Sequence, residues 1–427
     1  MKRFTTFLLN DLLSQQTRYR IALLSSIGLL AGFFFSRAVL SISFMALFVN
    51  AIHPDQIRVA YKQWKQNYFL LFSLAYFLLY FLSVLWSHDK HTWLVEVIKK
   101  LPFAIMPFAM LSLPIKQKKY LLLVIGFLFL FDIIIIGRGL VALYFHYDEY
   151  LHGYSVSKVL PTTKYNDHIR FSLTLVFSLY LALFLILEKK QWLRKTYIYL
   201  LVAFCLLLFT YIHILAVKSG VIALYLSMPI FVALRFWKRN KGLVLALIIG
   251  ICIVPLVAFY TLPTFKNKVY YIKWEIDRIS KHNEELASHY SDDGRLITYA
   301  VGYEVLKQSS LLGVGAGDMN TEINKGYARK FPEVPQANRW VPINQFFCSS
   351  LAIGIPLMLM SLLPMMLIPL FNKKNKWYVY GATTCIIFLF ASNVESMFEN
   401  QLGVFVYLFF TLFWYYLDKD TTQDNII

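Results

Sequence analysis

Long apolar runs recur along the whole of this 427-residue sequence and constrain its fold more than any other feature. A helix needs ~20 mostly apolar residues to cross the hydrocarbon core of a bilayer, with a range of ~17–25. About twelve runs reach or approach that length, so the pattern predicts an all-α protein, a polytopic bundle of about twelve transmembrane helices. The runs lie near residues 19–35, 37–52, 68–86, 101–115, 120–145, 169–188, 196–217, 219–236, 243–263, 344–371, 377–393 and 402–417.

The composition excludes several other classes of protein. Hydrophobic residues make up 58% of the chain and charged residues 15%, against about 45–50% and about 25% in soluble domains. A soluble enzyme could not bury so much apolar surface, and a disordered chain would contain far less of it. Four cysteines, Cys205, Cys252, Cys348 and Cys385, lie within or beside apolar runs, without the spacing of metal ligands. We interpret them as buried apolar side chains and predict neither disulfides nor a metal site.

The net charge of +18 is explained by the loops between the runs. In a soluble protein such a charge would indicate nucleic-acid binding, but here Lys and Arg concentrate in every second short loop. The cytoplasmic loops of membrane proteins are enriched in these residues. The alternation therefore predicts a multi-pass membrane protein with both termini in the cytoplasm. Its partner is the lipid bilayer, not nucleic acid.

Two longer connections fall on the predicted outer side, from about residue 145 to 168 and from about residue 263 to 342. The second contains most of the polar residues of the chain together with many Tyr and Trp, which argues against disorder. It is predicted to form a helical external loop that covers the bundle. The predicted organisation is nine transmembrane helices over residues 1–263, an external loop domain over 264–341, and three transmembrane helices with a cytoplasmic tail over 342–427.

Charged residues near the ends of the runs gather, in this topology, at the outer membrane boundary. Ionisable groups at this depth are costly and indicate function. A cluster of Arg and Lys suits a lipid-linked phosphate or pyrophosphate, because charge-assisted hydrogen bonds are roughly twice as strong as neutral ones. Carboxylates beside the cations could bind sugar hydroxyls or act as a general base. The candidate cations are Arg138, Arg170, Lys218, Arg295 and Arg339, and the candidate acid–base groups are His168, Glu395 and Glu399.

Each candidate also has a purely structural interpretation. Arg170 and Lys218 could reach headgroups from the ends of their helices, and Arg138 could pair with a carboxylate in its own helix. Glu395 and Glu399 could be solvent-facing residues of a short turn. The set of residues is therefore more informative than any one of its members.

Several motifs in the second half of the chain resemble those of one family of membrane enzymes. An Arg, a helix and a glycine-rich turn that ends in Asp are followed by the entry into a further apolar run. In order, spacing and membrane side, these motifs resemble the O-antigen ligase and O-antigen polymerase family of integral membrane glycan transferases, in particular its Bacteroidetes-type members. The similar blocks are residues 165–172, 216–220, 294–295, 303–308, 311–318, 342–347, 351–356 and 395–401.

The resemblance implies a polytopic helical fold with a large external, periplasmic loop, a location in the bacterial inner membrane, and a reaction. Members transfer a glycan from an undecaprenyl-pyrophosphate carrier, at the periplasmic face, to a lipid A-core sugar or to another lipid-linked repeat, in the synthesis of surface polysaccharide or lipopolysaccharide. No cofactor or metal is expected, because the sugar–pyrophosphate bond already supplies the energy. By resemblance, Arg295 and Lys218 would contact the pyrophosphate, and Asn344 and Gln401 would belong to the substrate-binding residues.

One position departs from the family pattern. Ile343 occupies the position, just before an Asn, where the ligases usually have a His that is the candidate for activating the acceptor. Isoleucine cannot transfer a proton, so either another group serves or the protein is a polymerase-like or diverged member. The groups available to replace the His are His168, His289, Glu395 and Glu399.

A transporter, such as a flippase for lipid-linked oligosaccharides, is the alternative function. About twelve spans fit a transporter equally well. Against it, the large external loop is unusual, the two halves of the sequence show no repeat, and charges within the spans are scarce. A transporter would move a labelled carrier across liposomes without joining glycans, whereas a transferase would join them.

Overall fold

A computed structural model of the chain describes residues 14–52, 67–111, 113–156, 158–165, 167–280 and 291–418. Throughout these residues the backbone forms helices and turns, with a single isolated bridge between Ser310 and Gly313 and no β-strand. The all-α fold class predicted from the sequence is confirmed.

The helices follow the predicted runs closely, except that the run predicted at 344–371 is divided into two helices at Gly354, whose backbone has a φ of +84°. The first ten are α1 (Gln15–Phe35), α2 (Arg37–Ala51), α3 (Tyr68–Leu82), α4 (Lys90–Met110), α5 (Lys118–Phe145), α6 (Tyr147–Tyr154), α7 (His168–Glu188), α8 (Lys195–Leu215), α9 (Lys218–Phe236) and α10 (Lys241–Thr261). The remaining helices of the described residues are α11 (Pro263–Ser280), α12 (Ser291–Gln308), α13 (Met319–Lys330), α14 (Gln345–Ile353), α15 (Ile355–Phe371), α16 (Tyr378–Val394) and α17 (Gln401–Asp418).

Seven helical segments of the described residues are long and apolar enough to cross a membrane, namely α1, α5, α7, α8, α9, α10, and α3 together with the 3₁₀ turn that extends it to Leu85. Four shorter apolar helices, α2, α15, α16 and α17, coincide with further predicted runs. The run predicted at 101–115 forms the second half of α4, whose first half carries charged residues. A polytopic helical membrane protein is therefore confirmed. Whether the five shorter or less apolar helices also cross the membrane stays a prediction, and so does the count of about twelve spans. These five helices are α2, α4, α15, α16 and α17.

The first two predicted spans form a tight antiparallel hairpin. Ser36 interrupts the helix with an extended backbone, and its hydroxyl caps the start of α2. A Cβ at Gly32 would lie 2.3 Å from the backbone nitrogen of Leu40, so the two helices touch there with no side chain between them. Their other ends meet where Arg18 donates a hydrogen bond to the Asn50 carbonyl (3.3 Å). The absence of a side chain at Gly32 is what permits this approach.

Helices α7 and α17 form the centre of the bundle. Most of their side chains are buried, and the rings of Phe177 and Phe410 stack with centroids 4.4 Å apart. Helix α10 is the opposite case, because only 11% of its apolar window is buried. The starts of α7 and α17 also meet, where Gly403 approaches the Arg170 side chain. The two central helices are therefore parallel, and their first turns lie at the same end of the bundle.

Side-chain contacts join helix ends that the charge alternation places on the same side of the membrane. Glu188, at the end of α7, binds Arg235, near the end of α9 (2.9 Å). Tyr415, near the end of α17, donates to Asn67, which precedes α3 (2.5 Å). All four of these ends are predicted to be cytoplasmic. The packing agrees with the predicted alternation, whereas the assignment of one face as periplasmic stays a prediction.

The segment between α10 and α14, the helical cap, is helical in its described residues, and α12 and α13 pack around a hydrophobic cluster separate from the core of the bundle. Val301 and Val305 of α12 contact Ile323 and Tyr327 of α13. The same cluster includes Leu351 of α14, so this helical cap shares one core with the apolar helix that follows it. The domain boundaries predicted from the sequence stay predictions.

A glycine-rich turn before α13 fastens the cap to the rest of the bundle. Gly315 has a φ of +94°, and a Cβ there would lie 2.5 Å from the Ser87 hydroxyl oxygen. Beside it, the Asp318 carboxylate accepts the backbone N–H groups of His88 (2.7 Å) and Asp89 (2.9 Å). Glycine is required where the backbone takes a positive φ and approaches another segment this closely. The turn thereby docks the cap onto the connection between α3 and α4.

We expect Gly32→Ala to destabilise the protein, because the added methyl group would meet the Leu40 backbone and force the hairpin open. Overpacking of this kind costs about 1–3 kcal/mol. Gly126→Ala is the matched control, since a Cβ at that helical position meets no atom within 4 Å, and alanine there should stabilise by up to about 1 kcal/mol. The measurement is the thermal midpoint of the detergent-purified protein. Equal midpoints for the two variants would contradict the close contact.

Candidate functional site

The turn between α16 and α17, residues 395–400, lies at the centre of the candidate site. Glu395 accepts a hydrogen bond from Arg295 of α12 (3.3 Å) and lies 3.8 Å from the nearest guanidinium nitrogen of Arg170 of α7. Arg295 also donates to the carbonyl of the last residue of α16 (3.0 Å), and Arg170 donates to Asp167 (3.3 Å). Three predicted site residues from distant parts of the sequence, Arg170, Arg295 and Glu395, therefore meet in the structure.

The Glu395 carboxyl is almost fully enclosed between the two guanidinium groups. Burial raises the pKa of this carboxyl above its ordinary value, and attraction to Arg170 and Arg295 opposes the rise only in part. The neighbouring carboxylate of Asp167 adds to the rise. A carboxylate whose pKa lies closer to neutrality accepts a proton more readily in catalysis. The environment of Glu395 is therefore that of a candidate general base.

Glu399, on the opposite side of the turn, is held by different partners. Lys100 of α4 donates to its Oε2 (2.8 Å), and Gln345 of α14 donates to its Oε1 (3.0 Å). Burial alone would raise the pKa of the Glu399 carboxyl, but the Lys100 charge and these hydrogen bonds outweigh burial and lower the pKa. Because both oxygens are engaged, Glu399 accepts a proton less readily than Glu395.

Lys218, the first residue of α9, forms an ion pair with Glu275 of α11. The start of α9 packs directly on the start of α7, because a Cβ at Gly220 would lie 2.5 Å from the Cβ of Ser172. Lys218 and Arg170 each precede this contact by two residues. The two cations therefore lie at the same end of the bundle, although they have different partners. Lys218 pairs with Glu275 of the cap, and Arg170 lies beside the 395–400 turn.

Arg138 and Arg339 both donate to backbone carbonyls. Arg138 of α5 bonds to the carbonyl of Thr162 (2.5 Å), in the connection that leads into α7. The carboxylate of its own helix, Asp132, instead accepts a hydrogen bond from Ser178 (2.6 Å). Arg339 donates to a carbonyl five residues earlier in the cap (3.0 Å). Both side chains stabilise irregular backbone, and their predicted roles in substrate binding stay predictions.

The remaining predicted residues lie at helix starts. Asn344 caps α14 and donates to a carbonyl of α16 (3.0 Å). Gln401, the first residue of α17, donates to Ser41 of α2 (2.8 Å). His168 is the first residue of α7, and His289 lies outside the described residues. Catalytic or binding roles for these residues stay predictions.

Ile343, which stands where the family pattern has a His, lies close to the 395–400 turn. Its carbonyl accepts a hydrogen bond from the Tyr299 hydroxyl (3.0 Å). The next residue, Asn344, bonds to the carbonyl of Asn393, two residues before Glu395. The 395–400 turn is therefore near Ile343, the position where the family resemblance leads us to expect a proton-transferring side chain.

Three residues with structural roles were not among the sequence candidates. Lys100 and Gln345 bind the 395–400 turn, and Asp318 fastens the cap to the connection between α3 and α4. Lys100 is fully buried, and it follows Glu96 by one helical turn just before an apolar run. An oppositely charged i, i+4 pair beside an apolar run was the one available signal for it. Gln345 and Asp318 lie in the blocks of family resemblance, but their partners are far away in the sequence and could not be read from it.

A bundle of membrane-crossing helices, a helical cap and a charged turn at one end define a polytopic membrane protein with a candidate site at the end of the bundle. Residues 203–362 match the family model described as O-antigen ligase. The match supports membership of that family and covers the stretch from the eighth helix into the fifteenth. A search of curated proteins found no match.

The matched region begins within α8 and ends within α15, so it contains Lys218, Arg295 and Asn344. Arg170 and Glu395 lie outside it, before and after the matched residues. The candidate site is therefore assembled from the family region and from the helices that flank it in the sequence.

We expect Asp318→Asn to lower the free energy of unfolding by about 1–3 kcal/mol at neutral pH. The reason is that an amide has one oxygen and cannot accept the two backbone N–H groups on separate oxygens, as the carboxylate does. Burial alone would raise the pKa of the Asp318 carboxyl, but the N–H groups of Asp89 and His88 outweigh burial and lower the pKa. A carboxyl with a lowered pKa in the folded state stabilises the fold above its unfolded pKa of about 4. This contribution is lost as the pH falls through the lower folded value.

The thermal midpoints of wild type and Asp318→Asn should therefore differ at about pH 7 and converge below about pH 4. Glu322→Gln is the matched control, since that acid lies one turn further along α13 and pairs with Lys325 at the surface. Its effect should stay below about 1 kcal/mol. A difference for Asp318→Asn that did not depend on pH would contradict the role assigned to its charge.

Proposed function

We propose that the protein transfers a glycan from an undecaprenyl-pyrophosphate carrier to an acceptor hydroxyl at the periplasmic face of the bacterial inner membrane, with both termini in the cytoplasm. The acceptor is a lipid A-core sugar or a second lipid-linked repeat. The observation that carries the proposal is the meeting of Arg170, Arg295 and Glu395 at one end of the helix bundle, in a chain whose residues 203–362 match the O-antigen ligase model. The pyrophosphate of a membrane-embedded carrier lies at the level of such an end.

Glu395 is the proposed general base. The acceptor hydroxyl gives its proton to the Glu395 carboxylate while the hydroxyl oxygen attacks the anomeric carbon of the donor sugar. The bond between that carbon and the pyrophosphate oxygen breaks, and undecaprenyl pyrophosphate leaves as an anion. The raised pKa of Glu395 supports this choice over Glu399, whose oxygens are bound to Lys100 and Gln345. His168, at the start of α7, is the second candidate for the role.

Arg170 and Arg295 are the proposed contacts of the leaving pyrophosphate. The Glu395 carboxylate offsets part of their charge before the reaction. When Glu395 takes up the proton, its negative charge is lost at the moment when negative charge develops on the pyrophosphate. Charged donors that meet developing charge in a water-poor site usually make the largest single contribution to catalysis. Proton transfer and stabilisation of the leaving group are thereby coupled.

Lys218 is proposed as a further contact of the donor pyrophosphate, in addition to Arg170 and Arg295. Its ammonium group binds the carboxylate of Glu275, so a donor phosphate would have to replace that carboxylate. The position of Lys218 at the start of α9 also gives a phosphate access to the N-terminal end of a helix dipole. The residues that remain candidates for the sugars are Arg138, Arg339, Asn344 and Gln401.

Reconstitution in liposomes tests the proposal. The protein is supplied with a labelled lipid-linked oligosaccharide and with either a lipid A-core glycolipid or a second, unlabelled lipid-linked repeat. Joining of the label to the core glycolipid supports a ligase, and joining to the second repeat supports a polymerase. Movement of the labelled carrier between leaflets without any joined product would overturn the proposal and favour a transporter.

We expect Glu395→Gln to lower turnover about 10²–10⁴-fold, the range for loss of a general base. Because the base must be unprotonated, wild-type turnover should fall as the pH drops through the raised pKa of Glu395, above the ordinary value of about 4.3. Glu304→Gln is the matched control and should leave turnover unchanged, because this half-buried acid of α12 accepts a hydrogen bond from Gln308 (2.6 Å) one turn further along its own helix. Undiminished turnover in Glu395→Gln would exclude this residue as the base.

Arg295→Ala should lower turnover about 10²–10³-fold, as the loss of one preorganised donor does elsewhere. Arg295→Lys should recover only part of the activity, because an ammonium group lacks the planar fork of donors. The control is Arg329→Ala, whose exposed guanidinium bonds to Gln308 (2.6 Å). Initial rates are compared at equal amounts of folded protein in the membrane. Wild-type rates in Arg295→Ala would refute its contact with the pyrophosphate.

A further inference from the structure

The side of the 395–400 turn that faces away from the arginines is held by a buried lysine. Lys100 has no exposed surface, although it carries a charge. It donates to the Phe398 carbonyl (2.7 Å) and to Glu399 (2.8 Å), and its ammonium lies 5.0 Å from the centre of the Tyr80 ring. A buried charge is retained only where such bonds compensate its lost hydration. The turn is therefore attached to α4 through one side chain.

Gln345 holds the same turn from a second helix. Its Oε1 accepts the backbone N–H of Phe398 (2.6 Å), and its Nε2 donates to Glu399 (3.0 Å) and to Ser349 (3.0 Å). Both backbone polar groups of Phe398 are thus bound by side chains, the carbonyl by Lys100 and the N–H by Gln345. This leaves the backbone of the turn little freedom to move relative to α4 and α14.

The opposite side of the turn presents Glu395. The charged groups that face this carboxylate are Arg170 and Asp167 at the start of α7, and Arg295 on α12. The position of Glu395 relative to these groups is set by the backbone of the turn, because only five residues span the distance from Glu395 to Glu399. A displacement of the turn would change every one of these distances.

We propose that Lys100 and Gln345 are positioning residues, which act through the turn to hold the Glu395 carboxylate between Arg170 and Arg295. The catalytic consequence of this positioning rests on the proposed function. A buried ion pair is weak evidence for a role in stability, since an apolar replacement is often as stable. What such a pair supplies is a defined geometry, and a misplacement of about 1 Å in an active site can cost about 10²-fold in rate.

The test compares Lys100→Met with Lys99→Met in the full-length protein. Lys99 is the neighbouring lysine of α4, and it pairs with Glu96 (2.6 Å) without touching the turn. The first readout is the titration of the Glu395 carboxyl by infrared spectroscopy, with its band identified by its loss in Glu395→Gln. The second readout is the rate of glycan transfer, separated into kcat and KM for the lipid-linked donor.

In Lys100→Met the carboxylate should move away from the two arginines, so the Glu395 titration should shift to higher pH by about one unit. The kcat should fall about 10²-fold with little change in KM, and the acid limb of the pH–rate profile should move in the same direction. Lys99→Met should match wild type in each readout. Lys100→Arg, which keeps the charge and the donors, should restore part of the rate.

Gln345→Leu is the second variant and removes the bond to Phe398 while the Lys100–Glu399 pair remains. We expect the same displacement of the Glu395 carboxylate in this variant. It serves as the test if Lys100→Met does not fold. A folded variant with an unshifted Glu395 titration overturns the inference, even if its thermal midpoint falls. If the Glu395 titration shifts in these variants but the wild-type protein joins no glycan, the positioning role is retained and the proposed function is refuted.

Discussion

The shared ion pair of Glu395 with Arg170 and Arg295 is the interaction on which the candidate site depends. Each arginine belongs to a different unit, since Arg170 begins the central helix α7 and Arg295 lies on helix α12 of the cap. Two guanidinium groups so close together would repel each other without the carboxylate between them. The cap and the bundle are therefore linked at the same place where the charges needed for phosphate chemistry are concentrated.

The 395–400 turn joins two polar networks of different character. On one side, Glu395 has a raised pKa and meets the buried Arg170 and the partly exposed Arg295. On the other side, Glu399 has a lowered pKa and is bound by Lys100 and Gln345 in the interior. Two carboxylates four residues apart thus have different proton affinities because their surroundings differ. Environments that separate the pKa values of neighbouring acids are typical of acid–base catalysis.

The sequence was sufficient for the helix positions and for the choice of Arg170, Arg295 and Glu395 as candidates. Hydropathy locates the helices, and charged residues beside apolar runs are conspicuous because they are rare there. It was not sufficient for the partners of these residues. The contact between Lys100 and Glu399 depends on how α4 packs against the turn before α17, and an apolar run does not specify which neighbour it meets. The carboxylate of Glu275 beside Lys218 could not be predicted for the same reason.

The location of the donor pyrophosphate tests the central claim most directly. A lipid-linked oligosaccharide with a photoreactive group beside its pyrophosphate is incorporated into liposomes with the protein, irradiated, and the attached residues are identified by mass spectrometry. The account predicts attachment at the 395–400 turn and at the first turn of α7, with competition by unlabelled donor. Attachment confined to the opposite end of the bundle, around residues 189–192, would contradict it.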